Sequence, residues 1–598
     1  MSPNKFSRLK LPIASILLHA CLTTICFACV AQAQTHSPAT ASHANPDYEK
    51  GVAAAKKGDL ESARALFESV VQKEPANVTA RNSLASILLF TGNAAEAIAQ
   101  FEEVVRLKPA LASAHINLAN ALLQTHDLQG ALREAQVAAR LAPQNPDAYR
   151  ALGRSQEAAG DLPGAIASLR QASSFAPADA QLHDDLGSLL ARQTQIPESA
   201  AEFRKALQLK PQLPSAHLHL GVLLFEQKKL ADAESHLTKA VQLDRKNFLA
   251  LNYLAETYSA EDKFSEAVST FQSSLSLQPA QPDALNSLAQ LLQRTGNPVA
   301  AAGAFRKLIA LRPTDPDAQN NLGLALLQSG DGDGAIAAFR AALELRPGDT
   351  GYQGNLGAAY LQKADFAAAV AQFRAALERD PRDQSLHYNL GLALKLQDKL
   401  PEAVEELRAA EALNPAQPDV PYTLGVTLWQ MGEADAAVAE FRKSIAAKPD
   451  YAEAYYTMGT VLKQQSKPQE SAQALREAIR LQPDFAGAHT TLAAVLRQLG
   501  DTQGAAAEAK LGAQLAKQST DMQAALFATN SGRRLRSIGD LSGAVDQFRV
   551  AITAVPDYAP AHMELAIALR QMGKGEDADA EFKKAATLDP KLAGPPQP

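Results

Sequence analysis

Cysteine is almost absent from this sequence. The only three thiols in 598 residues are Cys21, Cys26 and Cys29. No disulfide, thiolate metal site or cysteine nucleophile can therefore be built from the rest of the chain. Aromatic residues are also scarce, at 6% with a single tryptophan, whereas hydrophobic residues reach 46%. This composition favours helices packed through alanine and leucine.

A basic excess and the known catalytic motifs are missing as well. The chain has 58 Lys and Arg against 64 Asp and Glu, a net charge of −6, and nucleic-acid binding usually needs a broad basic face. There is no phosphate-binding glycine loop, no nucleophile elbow and no histidine pair in a zinc-helix context. We therefore predict a protein that is not an enzyme, has no cofactor or metal, and does not bind nucleic acid.

Residues 1–33 have the order of a secretory signal peptide. Three basic residues open the stretch: Lys5, Arg8 and Lys10. An apolar run follows and ends in the small-residue site Ala31-Gln32-Ala33. This order predicts cleavage after Ala33 and an exported protein, periplasmic or secreted. The polar residues 34–43 then read as a flexible linker.

Two alternatives to cleavage stay open at the sequence level. Residues 11–33 are long enough to remain as a membrane anchor. The context of Cys21 also allows a lipoprotein. Cleavage would remove every thiol, which suits an oxidising compartment, and would change the net charge from −6 to −9.

A pattern of Leu-Gly, Ala, Phe and Pro recurs at a period of 34 residues. Three successive copies are Leu322-Gly323, Ala335, Phe339, Pro347; Leu356-Gly357, Ala369, Phe373, Pro381; and Leu390-Gly391, Ala403, Leu407, Pro415. A fixed period of this length indicates stacked repeats that each contact only their neighbours. We count sixteen units, and we number positions 1–34 within each, beginning at residue 44.

The pattern resembles the tetratricopeptide repeat. This resemblance implies an all-α, right-handed superhelical solenoid with two antiparallel helices, A and B, in each repeat. We place repeats 1–14 at residues 44–519 and repeats 15 and 16 at residues 525–592, followed by a tail at 593–598. Five extra residues and the loss of the usual proline predict an irregular joint at residues 520–524.

In the resembling superhelices, helix A lines the inner surface, so its non-packing positions would carry specificity. At position 6 a row of amides and hydroxyls follows the repeats: Asn321, Asn355, Asn389, Thr423 and Thr457. Amides can pair with the backbone of an extended peptide. The row resembles the inner asparagines of O-linked N-acetylglucosamine transferases, although no glycosyltransferase domain is present. The alternative is tolerated polar surface.

Two further rows lie on the same helices. Position 5 carries Tyr388, Tyr422 and Tyr456, and Trp429 follows Tyr422 by two helical turns. Such aromatics anchor binding partners, or else pack against neighbouring helices. Position 12 carries a basic row that would attract an acidic ligand, or is ordinary solvated charge: Lys395, Lys463, Arg497, Arg536 and Arg570, with Arg533 nearby.

Six of the twelve histidines share position 4, where we expect them to pack in the seam of helix A. They are His115, His183, His217, His387, His489 and His562.

Together these patterns predict a non-catalytic scaffold of the cell envelope that binds extended protein segments, acidic ones included. Its principal groove would lie in repeats 10 to 13, at about residues 350–485. One alternative is a structural subunit of a secretion or polysaccharide-export complex, with a glycan on the aromatic rings. Another is the recruitment arm of a protein glycosyltransferase system. A membrane contact would require the uncleaved N-terminal segment.

Overall fold

The computed structural model describes residues 45–592, and all secondary structure in this range is helical. It contains thirty-one α-helices and one terminal 3-10 turn. The predicted signal peptide, linker and tail lie outside the described residues. The all-α repeat fold predicted from the sequence is confirmed.

The helices belong to two compact units, of which unit 1 ends at Asp331 and unit 2 begins at Gly332. Unit 1 comprises α1 Pro46–Lys56, α2 Leu60–Lys73, α3 Val78–Phe90, α4 Ala94–Leu107, α5 Ala112–Gln124, α6 Leu128–Leu141, α7 Pro146–Ala158, α8 Leu162–Phe175, α9 Ala180–Arg192, α10 Ile196–Leu209, α11 Pro214–Glu226, α12 Leu230–Leu243, α13 Phe248–Ala260, α14 Phe264–Leu277, α15 Pro282–Arg294, α16 Pro298–Leu311 and α17 Pro316–Gln328. Unit 2 comprises α18 Gly332–Leu345, α19 Thr350–Gln362, α20 Phe366–Leu377, α21 Gln384–Leu396, α22 Leu400–Leu413, α23 Asp419–Gln430, α24 Ala434–Ala447, α25 Ala452–Gln464, α26 Pro468–Leu481, α27 Ala486–Gln498, α28 Thr502–Ser537, α29 Leu541–Ala554, α30 Ala559–Gln571 and α31 Gly575–Leu588.

Most repeats pack helix A on helix B through a small residue at position 8 against a large one at position 24. In repeat 10, Phe373 of α20 and Ala369 are fully buried, and Leu356 of α19 is 3% exposed. Gly357 faces the Phe373 ring so closely that a Cβ atom would lie 2.5 Å from a ring carbon. The Gly at position 8 and the Phe at position 24 therefore form one contact, which sets how closely the two helices approach.

The turn between helices A and B requires a left-handed residue at position 15. Glycine fills it in nine repeats, for example Gly330 with φ of 86°. In the other seven repeats a residue with a Cβ atom takes the same conformation: His126, Thr194, Lys228, Asp262, Ala364, Asp398 and Ser466. Because left-handed backbone is costly for these residues, the turn is imposed by packing of the two helices.

The predicted irregular joint at residues 520–524 is not found. Helix α28 runs without interruption from Thr502 to Ser537, so helix B of repeat 14 continues directly into helix A of repeat 15. Position 32 of repeat 14 is Lys517, and no proline occurs between Pro483 and Pro556. Without a proline to end the helix, the five extra residues extend it.

No helix within residues 45–592 combines the length and the apolarity needed to cross a membrane.

Candidate functional site

The predicted site residues of unit 2 lie on the A helices of repeats 10 to 14, and helices α21, α23 and α25 contact one another in sequence. Tyr388, Tyr422 and Tyr456 therefore occupy equivalent places on a continuous row of helices. Asn321 lies on α17 in unit 1, where its side chain is half-buried.

The tyrosine and threonine rows bond to each other across successive repeats. The hydroxyl of Tyr388 lies 3.3 Å from Thr423 Oγ1, and that of Tyr422 lies 3.4 Å from Thr457 Oγ1. Thr423 and Thr457 are only 7% and 8% exposed, and Thr457 also donates to the Glu453 carbonyl at 2.8 Å. These threonines therefore join the repeats, and their hydroxyls are not open to a ligand.

The tyrosine rings also have aromatic neighbours that the sequence analysis missed. The Tyr422 ring centroid is 5.2 Å from that of Tyr451, and the Tyr456 centroid is 4.7 Å from that of Phe485. Both neighbours stand at position 34, at the end of the same repeat. In the sequence, each of these ring pairs could have been recognised as two aromatic residues 29 positions apart.

Tyr451 is held at the edge of this aromatic group by polar contacts. Its hydroxyl donates to Asp419 Oδ1 at 3.2 Å, and Lys448 Nζ lies 4.7 Å from the ring centroid. Partial burial, followed by the nearby Asp419 carboxylate, raises the pKa of the Tyr451 hydroxyl. The hydroxyl is thus a proton donor throughout the physiological range.

Trp429 packs beside the tyrosines while part of its ring stays exposed. It contacts the core cluster of repeats 11 to 13 together with Tyr388 and Tyr422. Its Nε1–H donates to Gln464 Oε1 at 2.8 Å, which fixes the indole on the surface. Such a fixed, half-exposed ring loses little side-chain entropy when a partner covers it.

Asn389 of the position 6 row differs from the threonines. Asn355 and Asn389 are half-buried. Within residues 45–592 the Asn389 amide makes no hydrogen bond, so its donors and acceptor are available.

The basic row divides into free and paired members. Lys395, Lys463 and Arg497 form no ion pair with any described residue, and burial lowers the pKa of Lys395. In contrast, Arg533 and Arg536 both bond Glu564 at 2.7 Å, and Arg570 bonds Asp579 at 2.5 Å. The free part of the row is therefore confined to repeats 11, 13 and 14.

Pairs separated by 35 residues recur along the A helices beyond the predicted site. Position 5 of one repeat meets position 6 of the next at Tyr48–Ser83 (3.3 Å), Asn82–Asn117 (2.8 Å) and Asp184–His219 (2.9 Å). Position 12 likewise meets position 13 of the next repeat at Glu157–Arg192 and Trp429–Gln464. These positions thus hold neighbouring repeats together wherever their side chains are complementary.

The position 4 histidines form specific hydrogen bonds. In five repeats Nδ1 lies 2.5–2.6 Å from a glutamate oxygen of helix B, and Nε2 lies 2.8–3.1 Å from the carbonyl of a proline at the end of the preceding repeat. These sets are His115–Glu134–Pro109, His183–Glu202–Pro177, His387–Glu406–Pro381, His489–Glu508–Pro483 and His562–Glu581–Pro556. We call each set a histidine clamp, because it joins helices A and B of one repeat to the turn that follows helix B of the preceding repeat.

Residues 45–592 contain no group of three His, Cys, Asp or Glu side chains arranged to hold a metal ion.

Comparison with solved structures finds several partly similar chains. YrrB, a TPR protein described as having an unusual peptide-binding site, is 23% identical over 31% of this chain and 96% of its own, with a TM-score of 0.30. MamA is 27% identical over 28% of this chain and 96% of its own, with a TM-score of 0.27. The Cut9–Hcn1 hetero-tetramer of APC/C is 15% identical over 87% of this chain and 95% of its own, with a TM-score of 0.33. A comparison with curated proteins returned no match.

Family models identify most of the chain. Tetratricopeptide repeat models match residues 48–112, 116–180, 185–248, 224–291, 288–350, 355–418, 421–451, 456–519 and 529–593. Stacked repeats of this kind present extended surfaces to their partners, which makes the chain a protein-interaction scaffold. Since these matches cover well over half of its residues, the chain belongs to the tetratricopeptide repeat family.

Proposed function

We propose that this scaffold binds an extended, acidic protein segment across the A helices of repeats 10 to 13. The observation that carries the proposal is a group of half-exposed aromatic rings, Tyr388, Tyr422 and Trp429, beside cations that lack a counter-charge. Lys395 precedes Trp429 by one repeat and Lys463 follows it by one repeat, so the three side chains occupy one row. An acidic segment would supply the missing counter-charges along this row.

The ring surfaces would supply most of the affinity. Tyrosine and threonine hydroxyls already bond across the repeats, so they offer little to a ligand. An available amide such as Asn389 adds about 0.5–1.5 kcal/mol for a neutral hydrogen bond. A well-covered aromatic anchor contributes about 2 kcal/mol or more. The attraction of the exposed cations for an acidic segment would weaken as salt is added.

The proposal places the scaffold in the cell envelope, as a component of assembly or recruitment there. The support is the predicted signal peptide at residues 1–33. The mass of the intact exported protein tests this part. We expect an N-terminus near Gln34 and no thiol, whereas a retained or lipidated Cys21 would contradict it.

The binding face is tested with a partner captured from the envelope fraction by the full chain. The wild type and the variants Tyr422→Ala, Trp429→Ala and Asn389→Ala are titrated with that partner, after circular dichroism shows that each variant is folded. We expect both aromatic variants to bind about tenfold more weakly or worse, and Asn389→Ala to lose less.

Tyr258→Ala serves as the matched control, because Tyr258 is a half-buried tyrosine on α13 in unit 1. It should bind like the wild type. If all three variants bind within about twofold of wild type, the face is not the binding site. A glycan that competes with the captured protein would instead favour the polysaccharide-export alternative.

A further inference from the structure

The middle of helix α28 is covered by no other element of the described chain. Its first part packs on α27, where a Cβ atom at Gly512 would lie 2.6 Å from Thr490. Its last part packs on α29, where a Cβ atom at Gly532 would lie 2.5 Å from Phe548. Every residue from 513 to 524 is exposed or half-exposed. This stretch of about a dozen helical residues therefore contains no buried side chain.

This bare segment and its ends carry an apolar stripe on one face. The stripe consists of four apolar residues and a central glutamine: Leu511, Leu515, Gln518, Met522 and Leu526. Their spacing of four, three, four and four residues keeps them on one side of a helix. Leu511, Met522 and Leu526 are 39%, 37% and 44% exposed, so a continuous row of large apolar side chains is open to solvent.

We propose that the α28 stripe binds the same stripe of a second copy of this chain, with the two helices antiparallel. The stripe is nearly symmetric about its own middle. In an antiparallel pair, Leu511 meets Leu526 of the second copy and Leu515 meets Met522, each twice. Gln518 lies next to the two-fold axis, where an amide can both donate to and accept from its symmetry mate. A two-fold axis of this kind closes the assembly at two copies.

The residues that border the stripe fit the same arrangement. Gln514 and Asp521 are seven residues apart and lie along the same edge of the stripe. These are the positions that flank an interface between two helices. In the antiparallel pair Gln514 of one copy faces Asp521 of the other, and its amide can donate to the carboxylate. A parallel pair would place each Asp521 beside a leucine. The polar flanks therefore favour the antiparallel orientation.

The size of the stripe sets the strength of the pair. From Leu511 to Leu526 the helix rises about 22 Å, so two such helices bury less area than a standard stable interface. The dimer should accordingly be reversible, and its fraction should increase with protein concentration. No contact with the face of repeats 10 to 13 is required, so this inference does not depend on the proposed ligand.

The first test measures the mass of the full chain in solution across a concentration series, by sedimentation or light scattering. We expect a monomer–dimer equilibrium in the wild type. The double variant Leu515→Glu, Met522→Glu should stay monomeric at every concentration. The control, Ala516→Glu with Gln523→Glu, moves the same two charges about 100° around the helix and should dimerise like the wild type. Circular dichroism and the thermal transition of both variants should match.

A wild type that is monomeric up to its solubility limit would overturn the proposal, and so would two variants that behave alike.

Orientation is tested in a full chain whose Cys21, Cys26 and Cys29 are replaced by serine. Leu511→Cys and Leu526→Cys proteins are oxidised separately and as a mixture. The antiparallel pair predicts a disulfide-linked dimer mainly in the mixture, whereas efficient linking of each protein to itself would contradict it.

Discussion

The histidine clamp of repeat 14 should contribute measurable stability through the coupling of His489 with Glu508. The His489 side chain is 3% exposed, with Nδ1 2.5 Å from Glu508 Oε2 and Nε2 2.9 Å from the Pro483 carbonyl. The Pro483 carbonyl and the Glu508 carboxylate are both acceptors, so a protonated imidazole can donate a hydrogen bond from each ring nitrogen. The pair is then a charge-assisted hydrogen bond between α27 and α28.

The structure indicates the size of the effect. A hydrogen bond to a charged group contributes about 1.5–3 kcal/mol, and we expect the lower part of this range because the Glu508 side chain is 28% exposed. The bond to the Pro483 carbonyl adds about 0.5–1.5 kcal/mol. His489→Ala should therefore lower local stability by about 2–3.5 kcal/mol, the sum of both bonds. The coupling in a double-mutant cycle with Glu508→Ala should be about 1.5–2 kcal/mol, since the cycle isolates the ion pair.

The assay must resolve individual repeats, because a long array does not unfold as one cooperative unit. Hydrogen exchange followed by mass spectrometry reports the opening of α27 separately from distant helices. The expected coupling corresponds to roughly a tenfold to thirtyfold change in the opening equilibrium.

Repeat 6 supplies a natural control, because His236 stands where the other clamps have glutamate. His217 Nδ1 lies 3.0 Å from His236 Nδ1, and its Nε2 lies 3.0 Å from the Pro211 carbonyl. Burial and the facing His217 lower the pKa of His236, so no ion pair forms there. The cycle of His217→Ala with His236→Ala should give only the coupling of a neutral bond, about 0.5–1 kcal/mol. Equal coupling in both repeats would refute the charge-assisted description.

Two further predictions concern the turns and the dependence on pH. Ala364→Gly should stabilise repeat 10 by about 0.5–1 kcal/mol, since it relieves left-handed strain at a small cost in chain entropy. Asp398→Gly should gain less, because aspartate tolerates this conformation better. Hydrogen exchange of the helices on either side of each turn checks this, and equal gains would contradict it. Burial opposes a charged His219, but the Asp184 carboxylate outweighs it and raises the pKa of His219 above 6.5. The native protein then binds this proton more tightly than the unfolded chain, so the contribution is complete below a pH of about 6.5 and is lost as the pH rises through the native pKa. Hydrogen exchange of α9 and α11, corrected for the intrinsic pH dependence of exchange, should show this loss in the wild type and a weaker one in His219→Gln. Equal losses in both proteins would contradict it.

The fold could be predicted because each repeat contacts mainly its neighbours, so one sequence pattern determines one local structure. The contact between Gly357 and Phe373 illustrates this, because a small residue at position 8 and a large one at position 24 recur together along the chain. The turn at position 15 is less visible in the sequence. Seven repeats have a residue other than glycine there, and only the packing of helices A and B fixes its conformation.

The error at residues 520–524 has a simple physical cause. Extra residues between repeats usually form a loop, and the loss of the expected proline at Lys517 indicated a weaker turn. The same substitution removes the signal that ends helix B, and the residues around it are good helix formers such as alanine, glutamine and lysine. Once the helix continues, the five residues add about a turn and a half to α28.

The site could be predicted only in part, because the sequence does not distinguish a contact between repeats from a contact with a ligand. Tyr388 and Thr423 were expected to face a ligand side by side, yet their hydroxyls lie 3.3 Å apart across two repeats. The relation that joins them is a separation of 35 residues, one more than the repeat period. An alignment of repeats at the period of 34 places the two residues in different columns, which conceals the pair.

The separation of 35 residues between bonded side chains also indicates where a partner can bind. Where positions 5 and 6 or 12 and 13 of successive repeats are complementary, as at Asp184 and His219, their polar groups bond to each other and the face is closed to a ligand. Where they are not, as at Lys395 and Lys463, the charge remains without a partner in the described chain. Partial burial of Lys395 without a counter-ion costs free energy, which a bound carboxylate would recover. In the proposed binding face of repeats 11 to 13, these cations are therefore the charges that bonding between repeats leaves available to an acidic segment.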